Sequence, residues 1–583
     1  MAEDLAVLNV AQLKERLRDL GLPVSGRKDE LLERLRAATT PTPEADQSGN
    51  MQPVPAEMDA GPDGPVQAVM TMMRREAAFG LPIGALVALG LSALMVTVVF
   101  AAPGLLGIGK SPEWELIEFD PQQAEAFAEG LVALGHPEWE GRMSGSPEEH
   151  AAADSILENF SSMGYQTQMH TYAVDMFSVN SEPSLRMCVQ GLGGNSPCEG
   201  PFAIGSSITD FQHRIDYVIQ GYSGSVDVGF DDNIPLIDLG DGGDDALWSD
   251  ASGAVGIVDS GGSISGNTGL FVKAIENDLA ALIRVNTNYN CGKVEADDCV
   301  PIFKSVDTAA VKDANGGSMP DIAFVAVSNL TGQSMRDLAA NGAGLEMFVD
   351  VTNGGQLDVK VPCGTLEGRT SEVVLVGAHH DTVYSGPGAV DDTSGTASVL
   401  EMARQVAKIA ESQGTPERTL RFCTWGGEEE GLFGSRAYVQ ANGATLADDL
   451  RLYINLDMNH VDIDSSRGNS ISMFTNHKED YEHIQSIWDL YSAERSDVAE
   501  RYEVRFSLLD GPKGSESGMP YNSDHGPFVY DLPGDKEGRA VVCYGSGSWE
   551  YHTYADDMSR FNAESLGVSV TVYGTYLRWL AWG

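Results

Sequence analysis

No charged residue occurs between Ala77 and Gly109, and within that stretch Phe79 to Ala102 (FGLPIGALVALGLSALMVTVVFAA) is long enough to cross a hydrocarbon core of about 30 Å as a helix. A segment of this kind divides the chain into two parts. Arg74 and Arg75 precede it, whereas Lys110 is followed by Glu113 and Glu115. The positive-inside rule therefore predicts a cytoplasmic N-terminus, with everything after Lys110 outside the cytoplasm. About 75 mostly polar residues come first, too many for the n-region of a cleavable signal peptide, so residues 77–103 are predicted to be an uncleaved transmembrane anchor of a single-pass protein.

Ahead of the anchor, residues 37–76 are largely Pro, Thr, Ala, Asp and Gly without apolar periodicity, and are predicted to be a disordered linker. Residues 1–36 differ. VAQLKERLRDL has helical spacing, GLPVSG is a turn, and a second helix begins near Lys28 behind Asp29. This small helical hairpin resembles the SAP domain, through VAQLKERLRDLGLPVSGRKDELLERL, a module associated with DNA binding. Seven acids offset its seven Lys and Arg residues, so contact with DNA and contact with protein both stay open.

The chain has 583 residues, enough for two to four folded units. Its net charge of -48 would repel nucleic acid and anionic lipid over most of the surface. Cys188 with Cys198 and Cys291 with Cys299 are spaced for short-loop disulfides, which suits an oxidising compartment, while Cys363, Cys423 and Cys543 lie in apolar strand-like runs and read as buried thiols.

Beyond the anchor, residues 112–203 read as amphipathic helices interrupted by GRMSGSPEEH. Residues 204–354 change texture to short Gly- and Asp-rich strands (GAVGIVDS, AALIRVN, IAFVAVS) with helices near 269–276 and 330–340, an inserted β-rich domain resembling the protease-associated domain. In residues 355–583 apolar strand-like runs alternate with helices, which predicts an α/β fold with a largely parallel central sheet flanked by helices, ligands binding at the strand C-terminal ends.

Polar clusters sit where those strands should end. They are His379, His380 and Asp381 after LVGA, Asp391 and Asp392 in GPGAVDDTSG, Glu428 to Glu430 in TWGGEEEGLFGS, Asp457 in INLDMNH, and His552 in WEYHTYADD. Imidazoles and carboxylates without Cys suit a hydrolytic zinc site, and two ions about 3.5–4 Å apart need one bridging carboxylate with about two terminal ligands each. The inventory matches that count.

These segments, GAHHDT with GPGAVDDTSG, WGGEEEGLFGS, NLDMN, SDHGPF and YHTYADD, resemble metallopeptidase family 28, the co-catalytic zinc aminopeptidases, over about Pro121–Ile204 and Gly354–Gly583. The resemblance implies two zinc ions. One is matched by His379, Asp391 and Glu429, the other by Asp391, Asp457 and His552, with Asp391 as the bridge. It implies that Asp381 orients His379, that Glu428 is the general base between the attacking water and the leaving amine, and that Tyr551 helps hold the oxyanion. His380 reads as a packing residue, His460 as no ligand, and Asp524 with His525 as pocket wall. The implied activity is release of N-terminal residues from peptides outside the cytoplasm. A glutamate-carboxypeptidase-like enzyme, a glutaminyl cyclase and a non-catalytic receptor-like relative are the alternatives. No Arg cluster stands beside the motifs to hold a substrate carboxylate, which ranks the carboxypeptidase lower. Oligomeric state is not legible.

Overall fold

Runs of apolar and β-branched residues punctuated by Gly and Asp become the strands of one mixed sheet in the computed structural model, which describes Arg16 and residues 113–583 except 195, 295, 296 and 535. Arg16 is helical; the rest of the expected hairpin at 1–36, the linker at 37–76 and the anchor at 77–103 lie outside the described residues. Among the described residues no helix is long and apolar enough to cross a membrane.

In chain order the strands are β1 Gln166–Val179, β2 Val351–Leu366, β3 Val373–His379, β4 Thr419–Trp425, β5 Leu450–Leu456, β6 Ser470–Thr475, β7 Glu503–Leu508 and β8 Ala540–Gly545. Across the sheet they run β1, β2, β4, β3, β5, β8, β6, β7. The neighbours β4, β3, β5 and β8 are mutually parallel, as are β6 and β7, while β1 with β2, β2 with β4, and β8 with β6 are antiparallel.

Both faces of the central strands are covered, which is why they read as continuous apolar runs. On β3, Val374, Val376 and Ala378 point into a core shared with helices Thr393–Gln413 and Ala563–Trp582. Val373 and Leu375 point the other way, toward helices Phe433–Asp449 and His525–Tyr530. The helix after the Asp391–Asp392 turn is started by Asp392, whose carboxylate accepts from the Gly395 amide at 2.9 Å.

The insert starts earlier than residue 204. The chain leaves the main sheet after Val179, and Ser184–Val189 pairs with Gly344–Val349 and Ser207–Phe211 in a four-stranded sheet. A five-stranded sheet follows, containing the expected strands as Val255–Asp259, Ala281–Val285 and Ala323–Val327, with helices Gly266–Glu276 and Asn329–Ala340. Disulfides join Cys188 to Cys198 and Cys291 to Cys299. The expectation of three buried thiols holds only for Cys543. Cys363 and Cys423 face each other across the antiparallel β2 and β4 pair and form a third disulfide, a pairing that depends on strand register and so on contacts 60 residues apart.

Gly377 makes a close approach possible at the sheet centre. The Trp425 indole donates to the Tyr453 hydroxyl at 2.8 Å directly over it, and a Cβ at Gly377 would lie 2.6 Å from both groups. Gly377→Val is expected to destabilise the fold by about 2–3 kcal/mol through overpacking and to lower the thermal unfolding midpoint by several degrees in a melt followed by circular dichroism.

Candidate functional site

The ends of the four parallel strands bring the acidic and imidazole groups together. His379 is the last residue of β3, Asp457 follows β5 directly, Glu428 and Glu429 follow the Gly426–Gly427 turn after β4, and His552 lies on the loop leaving β8. Asp391 sits among them. One of its oxygens is 3.2 Å from His379 Nε2 and the other is 2.9 Å from His552 Nε2. Two sets of convergent donor atoms result, His379 with Asp391 and Asp457, and Asp391 with Glu429 and His552.

Asp391 is thus common to both sets, but the grouping of the others differs from that implied by sequence. Glu428 faces His379, at 3.9 Å, whereas Glu429 Oε2 lies 3.0 Å from His552 Nε2. Asp457, at the end of the strand beside β3, takes the place expected for Glu429 next to His379.

Both imidazoles are oriented from behind. Nδ1 of His379 is 3.1 Å from the Asp381 carbonyl, and Nδ1 of His552 is 2.9 Å from the Phe303 carbonyl. A carbonyl only accepts, so each Nδ1 carries a proton, which leaves Nε2, the nitrogen facing Asp391, as the one that would give its lone pair to a metal ion. The carboxylate of Asp381 lies 3.5 Å from His379 Nδ1, and it also accepts from the amides of Glu428 and Glu429 at 3.3 and 3.2 Å and from the Ser144 hydroxyl at 2.7 Å. Asp381 therefore positions the triple-glutamate loop as well as His379.

Four carboxylates crowd two imidazoles here. Burial on its own lowers the His379 imidazole, yet Glu428, Asp381 and Asp391 raise it well above its usual range. The same balance, led by Glu429, lifts His552 to about 9. Burial lifts Asp457 to about 6, helped by Asp391, and lifts Glu428 well above the ordinary carboxylate range. Glu429 Oε1 is buried and has no hydrogen-bond partner in the protein. Negative charge in excess of what two imidazoles neutralise, oxygen and nitrogen donors in two convergent sets, and an orphaned carboxylate oxygen together fit divalent cations, which compete with protons for the same atoms.

The donors line a cavity of about 280 Å³ together with Met458, Arg467, Asn522, Tyr544, Gly547 and Tyr551. A larger cavity of about 590 Å³, between Tyr222, Lys312 and Phe433, contains none of the clustered donors. Arg467 is one cation on the wall of the smaller cavity, donating to the Ser546 carbonyl at 3.1 Å, with its guanidinium 4.6 Å from the Trp549 ring centre. Asp524 and His525 are not pocket wall. Phe528 stacks on Tyr453, with ring centres 4.2 Å apart, and draws the start of that helix inward, leaving both residues buried behind the site. His380 packs as expected, with Nε2 2.8 Å from Glu149.

Sequence reasoning missed the segment that holds the site from below. Arg142, fully buried, donates to the carbonyls of His380 at 3.1 Å and Pro387 at 3.0 Å and to the Thr393 hydroxyl at 2.6 Å, joining the β3 loop to the Asp391 loop. Asp556 accepts from the amides of Val390 and Asp391 at 2.9 and 3.1 Å. The one signal for Arg142 was its position in GRMSGSPEEH, a polar stretch between helices.

Residues 363–575 match the Peptidase family M28 model and residues 4–40 match the SAP domain model. An aminopeptidase of Pseudomonas aeruginosa is 27% identical over 294 residues, 48% of this chain and 51% of its own length, so the chain spans about half the length of this relative. A probable leucine aminopeptidase 2 of Aspergillus oryzae is 36% identical over 140 residues, 24% of this chain and 27% of its own. In fold, a zinc aminopeptidase from Bacillus subtilis is similar with a TM-score of 0.54 at 17% identity, covering 80% of this chain and 96% of that one. An M28 peptidase domain and a SAP domain are therefore found in the chain, and the described residues share the fold of the Bacillus subtilis enzyme.

His460, three residues from Asp457, stands outside both donor sets. Its Nε2 accepts from the Asn562 amide at 2.7 Å, and burial together with the Arg560 cation lowers it to about 3. The neutral ring stabilises the fold fully above about pH 6.5, the unfolded value, and that stability is lost as pH falls toward the folded value. Relative to His460→Gln, the wild type is expected to lose about 1.4 kcal/mol per pH unit below 6.5, measured by denaturant unfolding at pH 7, 6 and 5.

Proposed function

We propose that this chain is a zinc-dependent aminopeptidase holding two ions, with Asp391 shared between His379 and Asp457 on one side and Glu429 and His552 on the other. The observation that carries the reading is the Asp391 carboxylate, each oxygen directed at the Nε2 of a different histidine. Bound there, zinc would polarise the scissile carbonyl and make the attacking water more acidic.

The protein's own groups supply the rest. Glu428 lines the cavity and takes the proton from water, then passes it to the leaving amine. Asp381 fixes His379 and the amides of Glu428 and Glu429, so the base and one donor set share a single support. Tyr551 lines the same cavity and serves as hydrogen-bond donor to the oxyanion.

Peptides entering this cavity would be cleaved outside the cytoplasm, with residues 77–103 as the anchor and residues 1–36 left on the cytoplasmic side to contact DNA or protein. Three disulfides in the described residues support an oxidising location. Residues 204–354 would be the protease-associated-like insert. One observation favours a second reading: Arg467 on the cavity wall suits a substrate carboxylate and hence carboxypeptidase chemistry.

The test is release of amine from a panel of aminoacyl amides by the zinc-loaded protein, with metal content measured in parallel. Expected are about two zinc ions per chain, loss of activity with a chelator, and a fall of about 10²- to 10⁴-fold in kcat for Glu428→Ala with zinc retained. Release of C-terminal residues instead, with a raised KM in Arg467→Ala, would replace this reading by the second. A protein that binds no zinc would sink both.

A further inference from the structure

The segment Ile302–Lys304 of the insert reaches Tyr551 and His552, two residues that line the metal-donor cavity. It is clamped within the insert first. The Gln220 side chain donates to the Ile302 carbonyl at 3.0 Å, and the Gly221 amide and the Asn267 side chain donate to the Lys304 carbonyl at 3.1 and 3.3 Å. Gly221 is required by that approach, since a Cβ there would lie 3.0 Å from the Ser305 Cα.

From this clamp two contacts cross to the loop carrying His552. The Phe303 amide donates to the His552 carbonyl at 3.1 Å, returning the bond that His552 Nδ1 makes to Phe303. The Lys304 ammonium then donates to the Tyr551 hydroxyl at 2.6 Å, with its nitrogen 4.0 Å from the ring centre, and the Tyr551 ring stacks on His552 with ring centres 3.8 Å apart. An ammonium has three donors and no acceptor. The phenol oxygen is therefore the acceptor in this pair, and its single proton must be directed elsewhere. Tyr551 lines the donor cavity, and with Lys304 taking one side of the hydroxyl the proton is left free to face that cavity.

We infer that Lys304 is a positioning residue for the proposed hydrolysis, holding Tyr551 so that its hydroxyl proton faces the oxyanion and placing a fixed positive charge beside it. The inference rests on the aminopeptidase reading and makes the insert a working part of the active site. It predicts an effect on the transition state and not on ground-state binding.

The experiment uses the full zinc-loaded chain, comparing wild type with Lys304→Met, Lys304→Arg, Tyr551→Phe and the Met and Phe double variant, on the best-cleaved aminoacyl amide. Lys304→Met is expected to lower kcat about 10- to 100-fold with KM within about twofold. Affinity for the matching aminoalkylphosphonate, a tetrahedral analogue, should fall by a similar factor while affinity for the product amino acid stays unchanged. Adding Lys304→Met to Tyr551→Phe should cost little more than Tyr551→Phe alone, because the two act as a unit. Lys304→Arg, also a pure donor, should recover most of kcat. An unchanged kcat and analogue affinity in Lys304→Met, full additivity in the double variant, or an Arg variant as impaired as Met would each overturn the inference. If Lys304→Met fails to fold, the Arg variant and its analogue affinity decide. A wild type inactive on every aminoacyl amide overturns the preceding reading and this inference with it, whereas an active wild type indifferent to Lys304 overturns the inference alone.

Discussion

Like charge concentrated in a small buried volume is the constraint around which the rest of the structure is organised. Asp391, Glu428, Glu429 and Asp457 share one cavity with only two imidazoles, and such groups repel one another unless their positions are fixed by other bonds. Each acid sits on a backbone segment held by a further buried residue. Asp556 takes the amides of Val390 and Asp391, Asp392 takes those of His379 at 3.3 Å and Met458 at 2.8 Å, and Asp381 takes those of Glu428 and Glu429. Carboxylates thus hold carboxylates through the amides between them. Arg142 closes the arrangement from below, its cation satisfied by carbonyls and a hydroxyl instead of being neutralised in one ion pair.

The sheet supplies the convergence that these bonds refine. Four adjacent parallel strands end at one level, so donors separated by as much as 173 positions, from His379 to His552, arrive side by side without long reaches of side chain. Adjacency alone does not assign partners. Both β4 and β5 flank β3, yet Asp457 joins His379 while Glu429 joins His552, because of the two successive glutamates after the Gly426–Gly427 turn it is Glu428 that faces His379.

That distinction marks what was legible in the sequence. The α/β alternation, the insert's strands and helices, and every donor residue could be read, because each follows an apolar run and a turn with local signals. What depended on register or side-chain direction could not. Cys363 and Cys423 looked like separate thiols until β2 and β4 were placed side by side. Ser184–Val189 read as part of the first peptidase segment because nothing local says which distant strand it pairs with. Arg142, Ser144 and Glu149 carry no motif of their own, and their work is done on residues more than 200 positions away.

The insert has the same relation to the site. Its strands form sheets separate from the main one, so it could be taken for an appended module that only covers the cavity. The bonds argue otherwise. Tyr222 donates to the Glu430 carbonyl at 2.8 Å, Ser305 to that of Glu429 at 3.4 Å, and Phe303 exchanges two hydrogen bonds with His552. The carbonyl that fixes the tautomer of one of the two donor histidines therefore comes from the insert. A peptidase domain lacking it would keep the His379 set intact, oriented by Asp381, but would leave His552 free to turn, and with it the half of the donor array that Asp391 shares with Glu429.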